Sequence, residues 1–152
     1  MEAGELSTYI EDIHHGYLRQ ALPETAEILA VTLRAHGANH PELYKVYKLF
    51  GTLKTDLEQH LLKEETMLFP ALTDEDTPDE IRISLAKDII GEHEAAGEIL
   101  SELRRITKDY KIPADACPTF AKAYELLEGI EKDLHQHIHL ENNILLKEYD
   151  ER

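Results

Sequence analysis

The chain has 152 residues, with 31 acidic against 16 basic side chains and a net charge of −15, a balance that excludes nucleic acid and anionic membrane surfaces, which are bound through clustered Lys and Arg. Its one cysteine, Cys117, excludes an internal disulfide, thiolate zinc ribbons and cysteine-ligated iron–sulfur clusters. With 7 Gly, 6 Pro, no Trp and no alternating Val/Ile/Thr run, the composition predicts an all-α fold.

At this length a single domain over residues 1–152 is expected. No apolar run approaches ~18 residues and no charged-then-apolar leader opens the chain, so a cytoplasmic protein is expected. The first helix is read from about Leu6 to His36, with Ser7 as its cap and a kink or restart at Pro23, which has no amide to donate. Gly37-Ala38-Asn39 closes it.

Pro41 suits the first position of a second helix, which runs to about Leu72. Its apolar positions include Leu43, Val46, Tyr47, Phe50, Leu53, Leu57, Leu61, Leu68 and Phe69. A polar turn follows, with Thr77 as cap and Pro78 opening the third helix. That helix carries Ile81, Leu85, Ile89, Ile99, Leu100 and Leu103 and fades around Lys108-Asp109. Tyr110 to Pro118 is the least regular connection, and a fourth helix extends from Pro118 to about Tyr149. Four long helices with short turns predict an up-down-up-down four-helix bundle.

Two His-x3-Glu pairs stand out, His60 with Glu64 and His137 with Glu141. At helical spacing each pair puts an imidazole and a carboxylate one turn apart on one face. A single such pair is usually a surface ion pair, so depth decides. In antiparallel neighbours, residues equally far from the connecting turn lie at one level. His15 and His60 lie roughly 23 and 22 residues from the first turn, and His60 and His93 roughly 16 and 17 from the second. His93 and His137 lie roughly 16 and 20 from the third, so all four helices can bring a ligand to one layer.

The expected shell is therefore His15, His60, Glu64, His93, His137 and Glu141. Imidazoles with carboxylates suit first-row transition ions, whereas calcium and magnesium take oxygen ligands. Two His per ion, two bridging carboxylates and a bridging oxygen give five ligands, leaving room for a small exogenous molecule. His14 and His15 point about 100° apart, so one of them faces the core, and depth does not choose between them. His93 sits among Gly91, Ala95, Ala96 and Gly97, small residues expected to let a neighbouring helix approach. His135 and His139 lie about 200° round the helix from His137 and are expected outside the shell. His36 and His40 fall at the first turn and read as surface or capping residues.

At these positions the sequence resembles the hemerythrin-like family, and within it the di-iron iron–sulfur cluster repair proteins. The matching segments are Tyr9-Ile10 with His15 and Leu22-Pro23-Glu24; His60-Leu61-Leu62-Lys63-Glu64-Glu65 with Leu68-Phe69-Pro70; Glu92-His93-Glu94 with Ala96-Gly97-Glu98; and His137-Ile138-His139-Leu140-Glu141-Asn142-Asn143. The resemblance implies a non-haem centre of two Fe ions, oxo- and carboxylate-bridged. His15, His60, His93 and His137 would be terminal ligands and Glu64 and Glu141 the bridges. It selects His15 over His14, from the interval to Leu22-Pro23, and gives His36 a minor place near the metal route.

Oxygen-carrying hemerythrins take two His four apart from the third helix, and here that second position is Gly97. The repair proteins usually begin with a small cysteine-containing domain, which this sequence does not show before Leu6. The resemblance implies a stress protein that restores iron–sulfur clusters damaged by oxidants or nitric oxide, by iron donation or by nitric oxide processing, with damaged iron–sulfur proteins as partners. The second function is a module that binds or senses O2 or nitric oxide without turnover. The third is an unreactive metal-binding bundle.

Overall fold

The computed structural model describes residues 2–150, which are helical apart from their connections. Among the described residues five helices are formed, four of them long. Helix α1 is continuous through Ala3–Tyr9, a π-helical turn Ile10–His15 and Gly16–His36. Helix α2 likewise joins Glu42–Lys63, a π turn Glu64–Leu68 and Phe69–Thr73. Helix α3 is Asp79–Ile106, α4 joins Pro118–Leu140 to a π turn Glu141–Leu145, and α5 is the short Lys147–Asp150. Helix α1 packs on α4 and α2, and α3 packs on α2 and α5, which is the expected bundle.

Several local expectations give way. Helix α1 begins before Ser7, which lies inside it and is buried with no hydrogen-bond partner for its hydroxyl, so Ser7 is not a cap. Pro23 neither ends nor restarts the helix, which continues through it to His36. Pro78, with ψ 144°, is the cap of α3 rather than its first residue, and the Thr77 hydroxyl instead donates to Asp74 at 3.3 Å. Tyr47 and Ile81, two of the apolar positions read along these helices, are 43% and 49% exposed because they fall off the buried stripe. Gly37 permits a close turn, since a Cβ there would stand 2.5 Å from the Leu33 carbonyl oxygen.

The connection after α3 holds an unexpected left-handed run. Lys108, Asp109 and Tyr110 all have positive φ (55°, 61° and 58°), a conformation costing roughly 1–2 kcal/mol per non-glycine residue. Hydrogen bonds offset the cost. Asp109 N–H donates to the Arg104 carbonyl at 2.8 Å and Tyr110 N–H to the Thr107 hydroxyl at 3.0 Å. Tyr110 is buried against Tyr124, with the Arg104 guanidinium 4.9 Å from its ring centroid.

Arg104 also ties α3 to α4. Its Nε donates to both oxygens of Glu131, at 2.9 and 3.2 Å, and its Nη2 donates to Glu131 as well. Glu131 is buried and Arg104 is 39% exposed. Removing the guanidinium strands a buried carboxylate, a loss discounted here by the exposure of Arg104. Arg104→Ala is expected to lower the unfolding free energy by about 2 kcal/mol in urea denaturation, and Arg104→Ala with Glu131→Gln to recover part of it.

Two apolar clusters fill the bundle. One, including Leu18, Leu22, Phe50, Leu57, Leu61, Leu100, Phe120 and Leu134, occupies the end nearer the Gly37 turn. The other, including Leu6, Ile10, Leu68, Phe69, Ile89 and Leu145, occupies the opposite end. Between them lies a layer of buried imidazoles and carboxylates.

Candidate metal centre

The layer holds His15, His60, Glu64, His93, His137 and Glu141, all between 0% and 5% exposed. They form two overlapping groups able to hold a metal ion, His15-Glu64-His137-Glu141 and His60-Glu64-His93-Glu141. Within each group the ligand atoms lie within 4.8 Å of one another, and Glu64 and Glu141 belong to both. In the first group His15 Nε2 and His137 Nε2 each stand 3.3 Å from Glu64 Oε1, and His137 Nε2 is 2.8 Å from Glu141 Oε2. In the second, His60 Nε2 is 2.9 Å from Glu64 Oε1 and His93 Nε2 is 2.6 Å from Glu141 Oε1. Atoms bound at ~2.1 Å to one ion at right angles stand about 3 Å apart, so these spacings suit a coordination sphere.

The donor set passes a second test. His15 Nε2, His60 Nε2, His93 Nε2, both Glu64 oxygens and Glu141 Oε1 are buried without a hydrogen-bond partner. Buried polar atoms are ordinarily satisfied, and a buried carboxylate is costly unless a cation is at hand. Convergence of so many on one point fits a bound cation. Nitrogen and oxygen donors without thiolate suit iron, manganese or zinc.

Local backbone geometry puts the ligands there. His15 ends the π turn of α1, while Glu64 and Glu141 each begin the π turn of their helix. The wider i→i+5 bonds are explicit: Phe69 N–H donates to the Glu64 carbonyl, and Leu146 N–H to that of Glu141 at 2.7 Å. A π turn inserts one extra residue and so rotates the helix beyond it relative to the helix before it, a device concentrated at functional sites. Pro70 comes just after the second π turn, with no amide to give. The sequence carried no other signal of these turns.

Three of the four imidazoles are fixed from behind. His15 Nδ1 donates to Glu65 at 3.1 Å, and Glu65 is itself held by Arg19. His60 Nδ1 donates to Glu92 at 2.9 Å, and His93 Nδ1 to the Asn142 side-chain oxygen Oδ1 at 2.7 Å. Such bonds set the tautomer so that Nε2 faces the metal, and their loss typically costs 10–100-fold in affinity. Glu92 is held at about 2, first by His60 and then by Lys63, whose Nζ donates to it at 2.8 Å. Glu92→Ala is expected to weaken metal binding about 10–100-fold in a competition titration against a chelator, with little change in helix content.

Metal-free, the site holds protons. Burial pulls the His137 imidazolium down, but Glu141 and then Glu64 outweigh it and hold its pKa at about 10. His60 is likewise raised well above its ordinary value, burial being outweighed by Glu64, Glu141 and Glu92. Burial raises Glu141, yet His137, Glu64 and His60 together bring it well below the carboxylate range.

The expectation that only one of His14 and His15 faces the core is overturned, since they are 3% and 0% exposed. His15 reaches the carboxylates, whereas His14 Nδ1 donates to Asp133 at 2.9 Å and its ring stacks on His137 at 5.7 Å. Nor do the glycines near His93 serve close helix packing: a Cβ at Gly91 or Gly97 meets nothing within 4 Å. His135 and His139 are exposed, as expected. His36 sits at the far end of α1, its Nε2 3.2 Å from Cys117 Sγ, outside the layer. The Phe120 amide and then His36 draw that thiol below its usual range.

A cavity of about 270 Å³ reaches the layer from between α2, α3 and α4, with Leu57, Ala96, Ile99 and Leu134 among its walls and His60, His93 and His137 at its floor. No helix of the described residues is long and apolar enough to cross a membrane.

Residues 7–149 match the family described as the hemerythrin HHE cation binding domain. Over 144 residues the chain is 31% identical to the iron-sulfur cluster repair protein ScdA of Staphylococcus epidermidis, covering 93% of this chain and 64% of the relative. It is 32% identical over 149 residues to the iron-sulfur cluster repair protein YtfE of an Enterobacter species, again covering 93% and 64%. ScdA of Staphylococcus haemolyticus is 26% identical over 151 residues, 98% of this chain and 68% of the relative. The chain thus spans about 64% of the length of the first curated relatives it matches.

Proposed function

Because the chain belongs to the hemerythrin HHE cation binding domain family, we propose that it is a single non-haem di-iron domain acting in iron–sulfur cluster repair under oxidative or nitrosative stress. One iron would be held by His15 and His137 and the other by His60 and His93, with Glu64 and Glu141 common to both positions. The observation that carries this reading is the pair of buried four-residue groups sharing both carboxylates. The repair role is supported by the names of the relatives at 31% and 32% identity.

Bound iron supplies one-electron chemistry and open coordination positions for a diatomic molecule such as nitric oxide or O2. The protein's own contribution is positional. Glu65, Glu92 and Asn142 orient three imidazoles, the two apolar clusters exclude bulk water, and the apolar cavity over His60, His93 and His137 admits a small uncharged molecule. A donor set without thiolate, open to exchange with a cluster-assembly acceptor, suits iron donation.

Anaerobic incubation of the ferrous protein with an iron–sulfur enzyme stripped of its cluster, plus sulfide, tests donation. Recovery of enzyme activity faster than with the same concentration of free ferrous iron is expected; equal rates overturn it. The apolar cavity also favours a second reading, a module that binds or senses nitric oxide or O2 without turnover. A stable adduct that dissociates reversibly, with no cluster repair, selects that reading.

A further inference from the structure

The two halves of the centre are not held alike. His15, His60 and His93 each have an acceptor behind them, but His137 Nδ1 is buried with none. Against His137 lies another imidazole. His14, 3% exposed, stacks on it at 5.7 Å with 24° between the planes, and Tyr9 packs edge-on to His14 at 5.8 Å.

His14 is built as a ligand, yet belongs to neither metal group. Its Nδ1 gives its proton to Asp133 at 2.9 Å, which leaves the lone pair on Nε2, as in a carboxylate–histidine–metal arrangement. It also lines a surface groove of about 410 Å³ together with Tyr9, His135 and His139. His135 and His139 are four apart on α4 and both exposed, so one helix face offers two imidazoles a single turn apart. The Asn143 side-chain amide stands 3.0 Å from His139 Nδ1, and an ion binds Nε2 of that ring in the tautomer whose Nδ1–H donates to the amide oxygen, the amide being turned end for end.

The other cavity suits a different traveller. Its walls are largely apolar, and the charges among them are mixed, Lys63 donating to Glu92 at 2.8 Å with Asp56 on the same lining. Among the described residues, no Lys or Arg lines the histidine groove.

We propose that this groove is the route for a divalent first-row transition ion, captured by His135 and His139 and passed through His14 to the position between His15 and His137. The ion at that position is the exchangeable one, and the ion between His60 and His93 is retained. The proposal rests on the di-iron reading and names its labile half. No bond to carbon or sulfur changes in the transfer, and imidazole nitrogens exchange as ligands around an ion of constant charge.

The test monitors anaerobic removal of Fe2+ from the loaded protein by a coloured ferrous chelator in excess, and uptake of Fe2+ by the metal-free protein. Release from the unaltered protein is expected in two phases of equal amplitude. His135→Ala with His139→Ala, both exposed, and separately His14→Leu, should each slow the fast phase and the uptake about tenfold, leaving the slow phase and the final content of two irons unchanged. Unchanged fast-phase rates in the double variant overturn the route, whatever the fate of His14→Leu. Fewer than two irons in the unaltered protein contradict the di-iron reading itself, and with it the proposal.

Discussion

Glu64→Ala is expected to abolish binding of both irons, lowering metal affinity by at least about 100-fold at each position. The carboxylate is 0% exposed and is common to both ligand groups, so no arrangement of the remaining residues keeps four donors at either position. Glu65→Ala, one residue away, is the contrast. Glu65 touches His15 from behind and Arg19 at the surface, so its removal loosens one imidazole without deleting a donor. A loss of about 10–100-fold confined to one iron is expected there. Iron content after gel filtration, read with circular dichroism to confirm the helices, separates the cases. Two irons retained by folded Glu64→Ala would remove it from the bridging role.

Removing the metal is the second large effect, and it depends on pH. Binding to the folded chain alone stabilises it by about 4 kcal/mol when free metal is a thousand times Kd. For a domain near this size that corresponds to a rise in Tm of about 8–16 °C. The metal-free fold depends on protons instead. The His137 pKa of about 10 lies above the ~6.5 of an unfolded imidazole. Its contribution is complete below ~6.5 and is lost as pH rises through 10. The lowered Glu64 and Glu141 contribute above ordinary carboxylate values and lose that contribution in acid.

From pH 6 to pH 9 the metal-free protein should therefore lose stability as pH rises, while bound metal, which needs deprotonated ligands, becomes more secure over the same range. The gap between loaded and metal-free Tm is expected to widen from pH 6 to pH 9, as calorimetry at several pH values will show. A gap that narrows over this range contradicts the protonation scheme.

The bundle was legible because helix periodicity and punctuation are local. Gly37, the polar turn before Pro78 and the prolines before α4 mark the breaks, and apolar spacing marks the faces. The layer was legible because helix rise is constant, so counting from the turns placed His15, His60, His93 and His137 at one depth. The features that stayed hidden depend on tertiary packing. The π turns at Ile10–His15, Glu64–Leu68 and Glu141–Leu145 have no composition of their own. His14 offered no sign that it too is buried, because a helical wheel gives it another direction from His15. The left-handed run at Lys108-Asp109-Tyr110 contains no glycine to announce it. His135 and His139 were visible as a spaced pair, but only the groove with His14 gives that spacing a use.

The most direct test of the central claim is anomalous diffraction at the iron edge from crystals of anaerobically loaded protein. Two peaks are predicted, one beside His15 and His137, the other beside His60 and His93, both within bonding distance of Glu64 and Glu141. A single peak, or two that do not share those carboxylates, contradicts it.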